Sequence, residues 1–497
     1  MAREPRYVLA LDQGTSSSRA IVYDEEGRQV GAGQLELRSS YPRPGLVEQN
    51  ADEIVETQLR AARDALDAAR IGAGNLAAVG ITNQRETTVA WDPRGRPLAP
   101  AIVWQDRRTA ERCAELRATG LGPRVREVSG LLLDPYFSAT KMSWLLDSIP
   151  DGRPRAESGE LRLGTVDAWL AWRLTGGRTF ATDATNASRT LLLDIAHGEW
   201  SAEMAGLFAV PLAALPEVRA TDADFGMTEA GLLGTPVPIR AMAGDQQAAL
   251  FGQGCFEPGD AKNTYGTGCF LLVTTGSEMP IPPEGLLSTI AWRRRATISY
   301  ALEGSVFVAG AAVRWLRDLG LIRDAREVES LAASVDDSGR VVVVPAFAGL
   351  GAPWWDPDAR GAILGLTAGT TAAHIARATL ESIAQQTADL VDAFESGGSV
   401  HLSVLRADGG AAGNDLLLQL QADLLGRPVA RSATRETTAF GAALLAGLAA
   451  GVWESDEQVR GLARADRVFD PARSDEWRAE MRGRWAEAVS RVRSRPR

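Results

Sequence analysis

Leu9-Ala10-Leu11-Asp12-Gln13-Gly14-Thr15-Ser16-Ser17-Ser18-Arg19 connects two short apolar runs, at residues 7–11 and 20–23. Two such runs around a turn that contains glycine predict a β-hairpin. The tip combines a glycine, four hydroxyl side chains and an arginine with the carboxylate of Asp12. Its backbone N–H groups and hydroxyls can hold a polyphosphate, and Asp12 can hold the accompanying metal ion. A surface hairpin with a polar tip is the alternative, because turns rich in glycine, serine and threonine are common.

A second polar turn, Asn263-Thr264-Tyr265-Gly266-Thr267-Gly268, repeats this pattern in the other half of the chain. Its Gly-Thr pair lies 252 positions after Gly14-Thr15, and a strand is predicted at residues 270–274. A later strand, at residues 402–406, runs into Asp408-Gly409-Gly410-Ala411, with a helix predicted just beyond. Glycines between a strand and a helix let the backbone approach a ligand closely. Alternating strands and helices indicate α/β architecture, and the repeated hairpin predicts two related domains that face one ligand.

The remainder of the first half fits the same architecture. A third strand is predicted at residues 29–37, and Asn50-Ala51-Asp52-Glu53 is a capping box for a helix that ends near residue 70. A buried strand at residues 76–82 then leads into a charged loop, Asn83-Gln84-Arg85-Glu86. The sequence therefore predicts polar side chains at the end of a second buried strand.

Composition indicates an ordinary globular protein. Hydrophobic residues make up 45% of the chain and charged residues 23%, with a net charge of −10. This acidic balance predicts no nucleic acid partner. The three cysteines have neither metal-ligand nor disulfide spacing, which favours a reducing, cytoplasmic compartment. Because no apolar signal segment opens the chain and the small-apolar run at 439–452 is short, we expect no signal peptide and no stable membrane insertion.

The common nucleotide-binding motifs are absent from the sequence. A P-loop needs a Gly-Lys-Ser or Gly-Lys-Thr sequence, but the two lysines, Lys141 and Lys262, precede methionine and asparagine. The V-A-I-K and H-R-D motifs of protein kinases do not occur, and no G-x-G-x-x-G follows the first strand. The three histidines lie outside glycine-rich or acidic motifs. We therefore expect a carboxylate to perform any acid–base chemistry.

Seven motifs occur in order along nearly the whole chain. They are Leu11-Asp12-Gln13-Gly14-Thr15, Gly80-Ile81-Thr82-Asn83-Gln84-Arg85-Glu86-Thr87, Ile102-Val103-Trp104-Gln105, Asp134-Pro135-Tyr136-Phe137-Ser138, Gly244-Asp245-Gln246-Gln247, Asn263-Thr264-Tyr265-Gly266-Thr267-Gly268 and Gly349-Leu350-Gly351-Ala352-Pro353. Together with the Asp-Gly-Gly turn, they resemble the actin/Hsp70/sugar-kinase superfamily and, within it, the FGGY carbohydrate kinase family, most closely its members that phosphorylate glycerol.

The resemblance implies an α/β fold of two duplicated actin-like (ribonuclease H-like) domains, at residues 1–251 and 252–497, with a nucleotide and substrate cleft between them. It implies ATP-dependent phosphorylation of glycerol to sn-glycerol 3-phosphate, in glycerol uptake and catabolism. We also expect a homo-oligomer, a dimer or a tetramer. Two domains around one cleft predict hinge closure on binding, which excludes water.

The glycerol contacts are also carried over from the resemblance, onto residues whose chemistry suits a small triol. They are Arg85, Glu86, Trp104, Tyr136, Asp245, Gln246 and Phe270. Donors and acceptors among them match three hydroxyls, and the aromatic rings supply walls for the carbons. The alternatives are a surface ion pair for Arg85 and Glu86, and ordinary core positions for Trp104 and Phe270.

Phosphoryl transfer leaves a protein the tasks of positioning and of neutralising phosphate charge. The terminal phosphates are predicted to meet Thr15, Ser16, Ser17 and Arg19 from the first domain and Thr267 from the second. The nucleoside contacts implied by the resemblance are Gly310, Arg314, Gly410 and Asn414. Asp12, with Asp245 beside it, is predicted to hold Mg²⁺. Asp245 is also predicted to be the general base, and as an alternative or in addition it caps the helix that follows.

The sequence departs from the resembled family in two places. Arg314 stands where many of the glycerol-phosphorylating members have glutamine near the adenine. Residues 231–236 lack the arginine that regulated members use for fructose 1,6-bisphosphate, so we expect no inhibition by that sugar. Two other functions stay open: an FGGY kinase for another sugar or polyol, such as xylulose or erythritol, and an actin- or Hsp70-like ATPase that lacks a buried substrate pocket.

Overall fold

The computed structural model describes residues 6–398 and 400–494. Its strands are β1 Tyr7–Gln13, β2 Ser17–Tyr23, β3 Gln29–Glu36, β4 Ser39–Ser40, β5 Glu48–Gln49, β6 Leu76–Asn83, β7 Thr88–Trp91, β8 Ala101–Ile102, β9 Arg162–Thr165, β10 Ala181–Asp183, β11 Leu193–Asp194, β12 Glu199–Trp200, β13 Glu217–Arg219, β14 Ile239–Gly244, β15 Ala261–Tyr265, β16 Cys269–Gly276, β17 Leu287–Arg294, β18 Thr297–Val306, β19 Val342–Val344, β20 Ala362–Leu364, β21 Leu405–Asp408, β22 Val429–Ser432 and β23 Ala465–Phe469.

The helices connect and cover these strands. They are α1 Ala51–Ala69, α2 Ala110–Ala118, α3 Gly122–Ser129, α4 Ser138–Ser148, α5 Gly152–Glu157, α6 Val166–Leu174, α7 Ala184–Ala187, α8 Ala202–Leu207, α9 Ala230–Leu233, α10 Asp245–Gly252, α11 Gly310–Asp318, α12 Glu327–Ala332, α13 Ala372–Ser396, α14 Asp415–Leu425, α15 Thr437–Ala449, α16 Asp456–Leu462 and α17 Asp475–Val492. Short 3-10 turns lie at Ala73–Asn75, Leu212–Ala214 and Gly410–Gly413.

The first large sheet has the strand order β14-β6-β1-β2-β3. β1 and β2 form the predicted antiparallel hairpin, β3 extends it, and β6 and β14 run parallel to β1. The helix α1 lies against β3 at Gly31 and Gly33, where a Cβ atom would come within 2.3 Å and 2.2 Å of the carbonyl oxygens of Ala65 and Ala61. The predicted hairpin, third strand and capped helix of the first half are therefore confirmed, with Asn50 accepting from the backbone of the first turn.

The second large sheet repeats the first. Its order is β17-β18-β16-β15-β21-β22-β23, in which β15 and β16 form the second hairpin and β18 extends it. β21 runs parallel to β15, and β22 runs parallel to β21, as β6 and β14 do beside β1. The strands β17 and β23 are additions at the two edges. The shared order and directions confirm the duplicated α/β architecture.

Two helices cross between the sheets in close contact. Cβ atoms at Gly252 of α10 and Gly441 of α15 would come within 2.2 Å of Thr437 O and 1.8 Å of Ala248 O, so only glycine permits this crossing. The run at 439–452 is thus largely the buried helix α15, as predicted. No helix within residues 6–398 and 400–494 combines the length and the apolar composition that a membrane crossing needs.

Two element boundaries differ from the sequence-based expectation. The strand expected at 402–406 is β21, Leu405–Asp408, so the chain reaches the Asp-Gly-Gly turn while still in the sheet. Asp245 was expected to cap the helix that follows it. It is instead the first residue of that helix, and Gly244 occupies the cap position. All four residues of the charged segment 83–86 are buried, which contradicts the alternative of a surface ion pair for Arg85 and Glu86.

Candidate active site

The tip between β1 and β2 is the first candidate phosphate-binding segment. The backbone N–H of Gly14 donates to Ser17 O at 3.0 Å and closes the turn. Thr15 and Ser16 line a large cleft between the two halves of the chain. Ser17 is placed differently, because its hydroxyl accepts from Gln34 Nε2 at 3.2 Å beside the strand pair. Two of the three predicted hydroxyl contacts therefore face the cleft directly.

The tip between β15 and β16 is the second candidate segment, and it is held by the start of α11. Gly266 O accepts from Gly310 N at 3.0 Å, and a Cβ atom at Gly310 would come within 2.6 Å of that oxygen. Thr267 lines the cleft, and its Oγ1 accepts from Arg314 Nη2 at 3.2 Å. Gly310 thus positions the turn, and Arg314 lies at its exposed side.

The cleft has a volume of about 2180 Å³ and takes residues from both halves. Nine predicted site residues line it: Thr15, Ser16, Trp104, Tyr136, Asp245, Gln246, Thr267, Phe270 and Arg314. The predicted residues outside its lining are Asp12, Ser17, Arg19, Arg85, Glu86, Gly310, Gly410 and Asn414. The structure therefore brings together most of the predicted substrate contacts and places the others behind or beside them.

Three aromatic rings meet edge to face in the cleft. The Trp104 ring centroid lies 5.6 Å from that of Tyr136 and 6.5 Å from that of Phe270, with interplanar angles of 89° and 81°. The indole Nε1 of Trp104 donates to Thr15 Oγ1 at 2.9 Å, which links this aromatic wall to the first hairpin tip. Trp104 and Tyr136 belong to the first half and Phe270 to the second. This arrangement forms an apolar wall next to a phosphate-binding candidate.

Asp245 begins α10 at the floor of the cleft, with 30% of its side chain exposed. Its Oδ1 lies 3.3 Å from Arg85 Nε and accepts from Gln246 N at 2.7 Å. Burial raises the pKa of Asp245, whereas Arg85 and Lys262 oppose that rise. A carboxylate with a raised pKa is a better proton acceptor, and the helix start holds it rigidly.

Asp12 is the second carboxylate of the site. Burial raises its pKa to about 6; the cation of Arg19, 3.9 Å away, opposes this rise, and Asp245 adds to it. Arg19 also pairs with Glu436 from the second half. The two carboxylates of Asp12 and Asp245, which repel each other, are suitable ligands for Mg²⁺, because this ion binds proteins through one or two carboxylates and keeps several waters. Within the described residues, no larger group of acidic, histidine or cysteine side chains could hold a metal by itself.

A network of four buried charges lies beneath the cleft. Glu303 accepts from Arg85 Nη1 at 2.6 Å, from Arg85 Nη2 at 3.0 Å and from Arg189 Nη2 at 2.9 Å. Arg189 Nε also donates to Glu86 Oε1 at 2.7 Å, and Arg85 Nη1 donates to Gln247 at 3.2 Å. Glu303 belongs to β18, so the network joins the two halves. Arg85 and Glu86 are therefore not a surface ion pair.

Glu86 adopts a strained backbone conformation, with φ at +61°. A left-handed conformation costs a non-glycine residue roughly 1–2 kcal/mol and is often found at functional sites. Burial raises the pKa of Glu86, while Arg85 and Arg189 oppose the rise. The Glu86 carboxylate accepts from Arg189. Arg85 uses its Nη1 and Nη2 groups to bond Glu303, so its Nε group is the part of the guanidinium that lies near Asp245.

The Asp-Gly-Gly turn lies beside the second hairpin because β21 pairs with β15, with Asp408 opposite Thr264. A Cβ atom at Gly410 would meet no protein atom within 4 Å, which leaves open space at this turn. Asn414 caps α14 by accepting from Leu417 N at 2.9 Å. The turn therefore offers a backbone surface that a ligand can approach, next to the end of a helix.

Family models agree with this architecture. The model of the FGGY family of carbohydrate kinases, N-terminal domain, matches residues 7–252, and that of the C-terminal domain matches residues 261–450. The chain belongs to the FGGY family of carbohydrate kinases. Its two hairpins lie one in each matched region.

Full-length relatives cover this FGGY kinase almost completely. A glycerol kinase of Trichlorobacter lovleyi is 56% identical over 98% of both chains, and one of Deinococcus radiodurans is 54% identical over 99% of this chain and 98% of its own. The crystal structure of Plasmodium falciparum glycerol kinase with ADP has a TM-score of 0.92 at 35% identity and covers 99% of both chains. The fold is thus that of a sugar kinase over its whole length.

Three charged residues of this FGGY kinase's site were missed by the sequence analysis: Arg189, Lys262 and Glu303. Glu303 carried a signal, because a lone acid in the otherwise apolar and neutral run Tyr300–Ser305 of a strand indicates a buried partner. Lys262 had a similar position in β15, between Ala261 and Asn263. Arg189 follows the short helix α7 and gave no local signal, since only the fold brings it to Glu86 and Glu303.

Proposed function

We propose that this protein transfers the γ-phosphoryl group of ATP to glycerol and forms sn-glycerol 3-phosphate and ADP. The observation that carries the proposal is one cleft that combines two Gly-Thr hairpin tips, the carboxylate of Asp245 and a wall of three aromatic rings. Glycerol is favoured over xylulose and erythritol because the full-length relatives at 54–56% identity are glycerol kinases.

Glycerol would lie between the aromatic wall and the floor of the cleft. Trp104, Tyr136 and Phe270 would cover its carbons, while Asp245 and Gln246 would accept from and donate to its hydroxyls. Arg85 would contribute through Nε, the part of its guanidinium nearest Asp245. Glu86 is proposed as a further contact, held in place by its bond from Arg189.

Asp245 is proposed as the general base. In the proposed step the reacting hydroxyl proton passes to the Asp245 carboxylate, and the hydroxyl oxygen forms a bond to the γ-phosphorus. The bond between that phosphorus and the bridging oxygen breaks, and ADP leaves with the electron pair. Arg85, 3.3 Å from Asp245, would hold the carboxylate in place before and after it takes the proton.

The phosphates of ATP would lie between the two hairpin tips. Thr15, Ser16, Ser17 and Arg19 would approach them from one side and Thr267 from the other. Mg²⁺ would be held by Asp12 and Asp245, and when bound it would neutralise phosphate charge. The nucleoside contacts are proposed for a set that adjoins the second hairpin: Gly310, Arg314, Gly410 and Asn414.

Several properties of the whole molecule belong to the same proposal. The domains would be residues 1–251 and 252–497, moving about a hinge to close the cleft and exclude water. Small-angle scattering with and without glycerol and a non-hydrolysable ATP analogue tests closure, because an unchanged profile contradicts it.

The three cysteines are free, which supports a reducing, cytoplasmic location. A homo-oligomer, dimer or tetramer, is proposed as for the resembled family.

An assay of ADP release, coupled to NADH oxidation, tests the reaction. Glycerol, D-xylulose and erythritol are compared as acceptors, and we expect glycerol to be used best. A pentulose that outperforms glycerol by a wide margin would assign the protein to another sugar. ATP hydrolysis that glycerol does not stimulate would instead support the actin- or Hsp70-like ATPase function.

Asp245→Asn tests the general base. We expect kcat to fall by roughly 10²–10⁴ while glycerol still binds, because the asparagine keeps the shape but cannot accept the proton. Asp67→Asn, on the exposed side of α1, is the matched control and should leave kcat unchanged. A D245N enzyme within a few-fold of the wild type contradicts the assignment of Asp245.

A further inference from the structure

The two lysines of this chain lie in an environment that lysine rarely occupies. The sequence contains 53 lysine and arginine residues, of which only Lys141 and Lys262 are lysine. Both of these side chains are completely buried. A buried ammonium group is costly unless it is hydrogen-bonded. Since arginine supplies every other cation, the two lysines indicate positions where a compact ammonium group is required.

Lys262, in β15, directs its ammonium group to three acceptors at the edge of the cleft. Its Nζ donates to Gln246 Oε1 at 2.5 Å, to Thr264 Oγ1 at 2.9 Å and to Phe270 O at 3.3 Å. A protonated lysine has three donors, so each proton has one acceptor. Gln246 and Phe270 are both cleft-lining residues from the glycerol end of the site. The ammonium group therefore contacts two walls of the same pocket.

The charges around Lys262 come from four different segments. Burial lowers the pKa of Lys262 to about 8, and the positive charge of Arg85, which follows β6, lowers it as well. Three carboxylates oppose this change: Asp408 of β21, Asp245 of α10 and Glu303 of β18. The carboxylates thus keep the amine largely protonated at neutral pH. The three hydrogen bonds depend on that protonated form.

The contact with Lys262 determines which end of the Gln246 amide faces the cleft. An ammonium group can only donate, so the atom it meets must be the carbonyl oxygen of the glutamine. The Nε2 amide nitrogen is then the end that remains for a ligand. Next to the acceptor Asp245, Gln246 consequently offers a donor, and the pair matches one hydroxyl that both donates and accepts.

Arginine could not take this place. Its guanidinium is planar, larger and carries five donors in a fixed fork, whereas the position offers three acceptors to one nitrogen. Lys141 also uses a buried ammonium group to hold its neighbours: its Nζ donates to Pro135 O at 3.0 Å and to Tyr136 O at 2.6 Å. That contact holds a backbone turn, and Lys262 by contrast holds a side chain.

We propose that Lys262 is a positioning residue for glycerol: by bonding Gln246 Oε1, it orients the amide nitrogen toward the substrate hydroxyl that Asp245 faces. The inference rests on the proposed kinase function and adds to it a residue that determines recognition of that hydroxyl. Lys262 acts through Gln246 and Phe270 and is not itself a contact of the reacting atoms.

Lys262→Met is the first variant, because methionine keeps an unbranched side chain as far as the Cε position and removes the ammonium group. We expect the KM for glycerol to rise about 10- to 100-fold, the range that one charge-assisted hydrogen bond supports. The KM for ATP should stay within about threefold, since the contacts of Lys262 lie at the glycerol end. Equal increases in both KM values would indicate general damage and overturn the assignment.

A double-mutant cycle separates positioning from packing. In a Gln246→Leu background, Lys262→Met should change the KM for glycerol by less than about threefold, because its route to the substrate is already lost. Lys141→Met is the matched control: it also removes a buried ammonium group, but one that bonds backbone carbonyls, so its effect should be the same in both backgrounds. A Lys262→Met effect that is equally large in both backgrounds overturns the inference.

A spectroscopic measurement on the wild-type protein does not depend on the folding of any variant at position 262. With ¹³Cε-labelled lysine, the chain gives two Cε signals, and Lys141→Arg assigns them by removing one. Saturating glycerol should shift the Lys262 signal, and an unmoved signal in an enzyme that phosphorylates glycerol overturns only this inference. A wild-type protein that does not phosphorylate glycerol refutes the proposed function, and the inference with it.

Discussion

Glu303→Gln replaces the carboxylate that bonds two buried arginines beneath the cleft. Glu303 accepts three charge-assisted hydrogen bonds, two from Arg85 and one from Arg189. A glutamine at this position has the same shape, but its NH₂ end faces a guanidinium donor, and no negative charge remains. The substitution therefore breaks at least one bond and leaves two arginines with less compensating charge.

The pKa of Glu303 sets the magnitude. Burial alone would raise it, but the charges of Arg189 and Arg85 and the hydrogen bond from Arg85 outweigh burial and lower the pKa from 4.5 to about 2. That difference corresponds to about 3 kcal/mol of stability at neutral pH. Removing one partner of a buried ion pair costs about 3–5 kcal/mol. We expect Glu303→Gln to lower the free energy of unfolding by about the same amount.

The pH dependence has a definite sign. Because the folded-state pKa lies below the unfolded-state value, the stabilisation is fully present above about pH 4.5 and is lost as the pH falls toward 2. The advantage of the wild type over the variant should be constant from pH 8 to 6 and smaller by about 1 kcal/mol at pH 4.

Urea unfolding, followed by circular dichroism at pH 7 and pH 4, measures both effects. Glu203→Gln is the matched control, because it removes a carboxylate that pairs with Arg124 on the exposed surface, and it should leave the midpoint unchanged. A Glu303→Gln midpoint equal to the wild-type one at pH 7, or a difference that grows at pH 4, would refute the reasoning.

Three further predictions concern the nucleotide and metal side of the cleft. Gly410→Ala should raise the KM for ATP at least about tenfold without loss of stability, because the new Cβ meets no protein atom but would meet the proposed nucleoside. Gly413→Ala, also in open space, is the control, and equal ATP kinetics of the two variants would contradict the proposed nucleoside contact of Gly410. Asp12, whose pKa burial raises to about 6, is proposed to bind Mg²⁺ in its ionised form. The value of kcat/KM should therefore fall as the pH drops below about 6, with a midpoint that moves lower at high Mg²⁺. A midpoint independent of Mg²⁺ contradicts the proposed role of Asp12. Arg314→Gln keeps a donor for Thr267, so the KM for ATP should change less than about tenfold and the KM for glycerol not at all, in steady-state kinetics with each substrate varied.

The fold was predictable from the sequence because its signals are local. Each Gly-Thr turn lies between apolar runs, Asn50 caps α1 within its own first turn, and the run at 439–452 is apolar along its whole length. Such features need no knowledge of distant contacts. The end of β21 was harder to predict from the sequence, because pairing with β15 and β22 extends the strand two residues beyond the end of its apolar pattern.

The site was only partly predictable, because its charges are neutralised by residues far away in sequence. Arg85 and Glu86 were expected to contact the substrate, with a surface ion pair as the alternative, and nothing local shows that Glu303, more than 200 residues later, binds the guanidinium of Arg85. The contact between Lys262 and Gln246 similarly depends on how β15 packs beside α10. Sequence reasoning identifies which side chains carry charge, whereas the fold determines which of them remain available to a ligand.

The buried network also restricts how the cleft can close. Glu303 of the second half bonds Arg85 and Arg189 of the first, so separating the halves at this level would unpair buried charges at a cost of about 3–5 kcal/mol. The pair between Arg19 and Glu436, which is 24% and 34% exposed, crosses the same boundary at much lower cost. We therefore expect the proposed closure to pivot about the floor of the cleft. Asp245, 3.3 Å from Arg85, would then stay fixed to that floor while the hairpin tips move, so the proposed base would keep its position as the phosphates approach it.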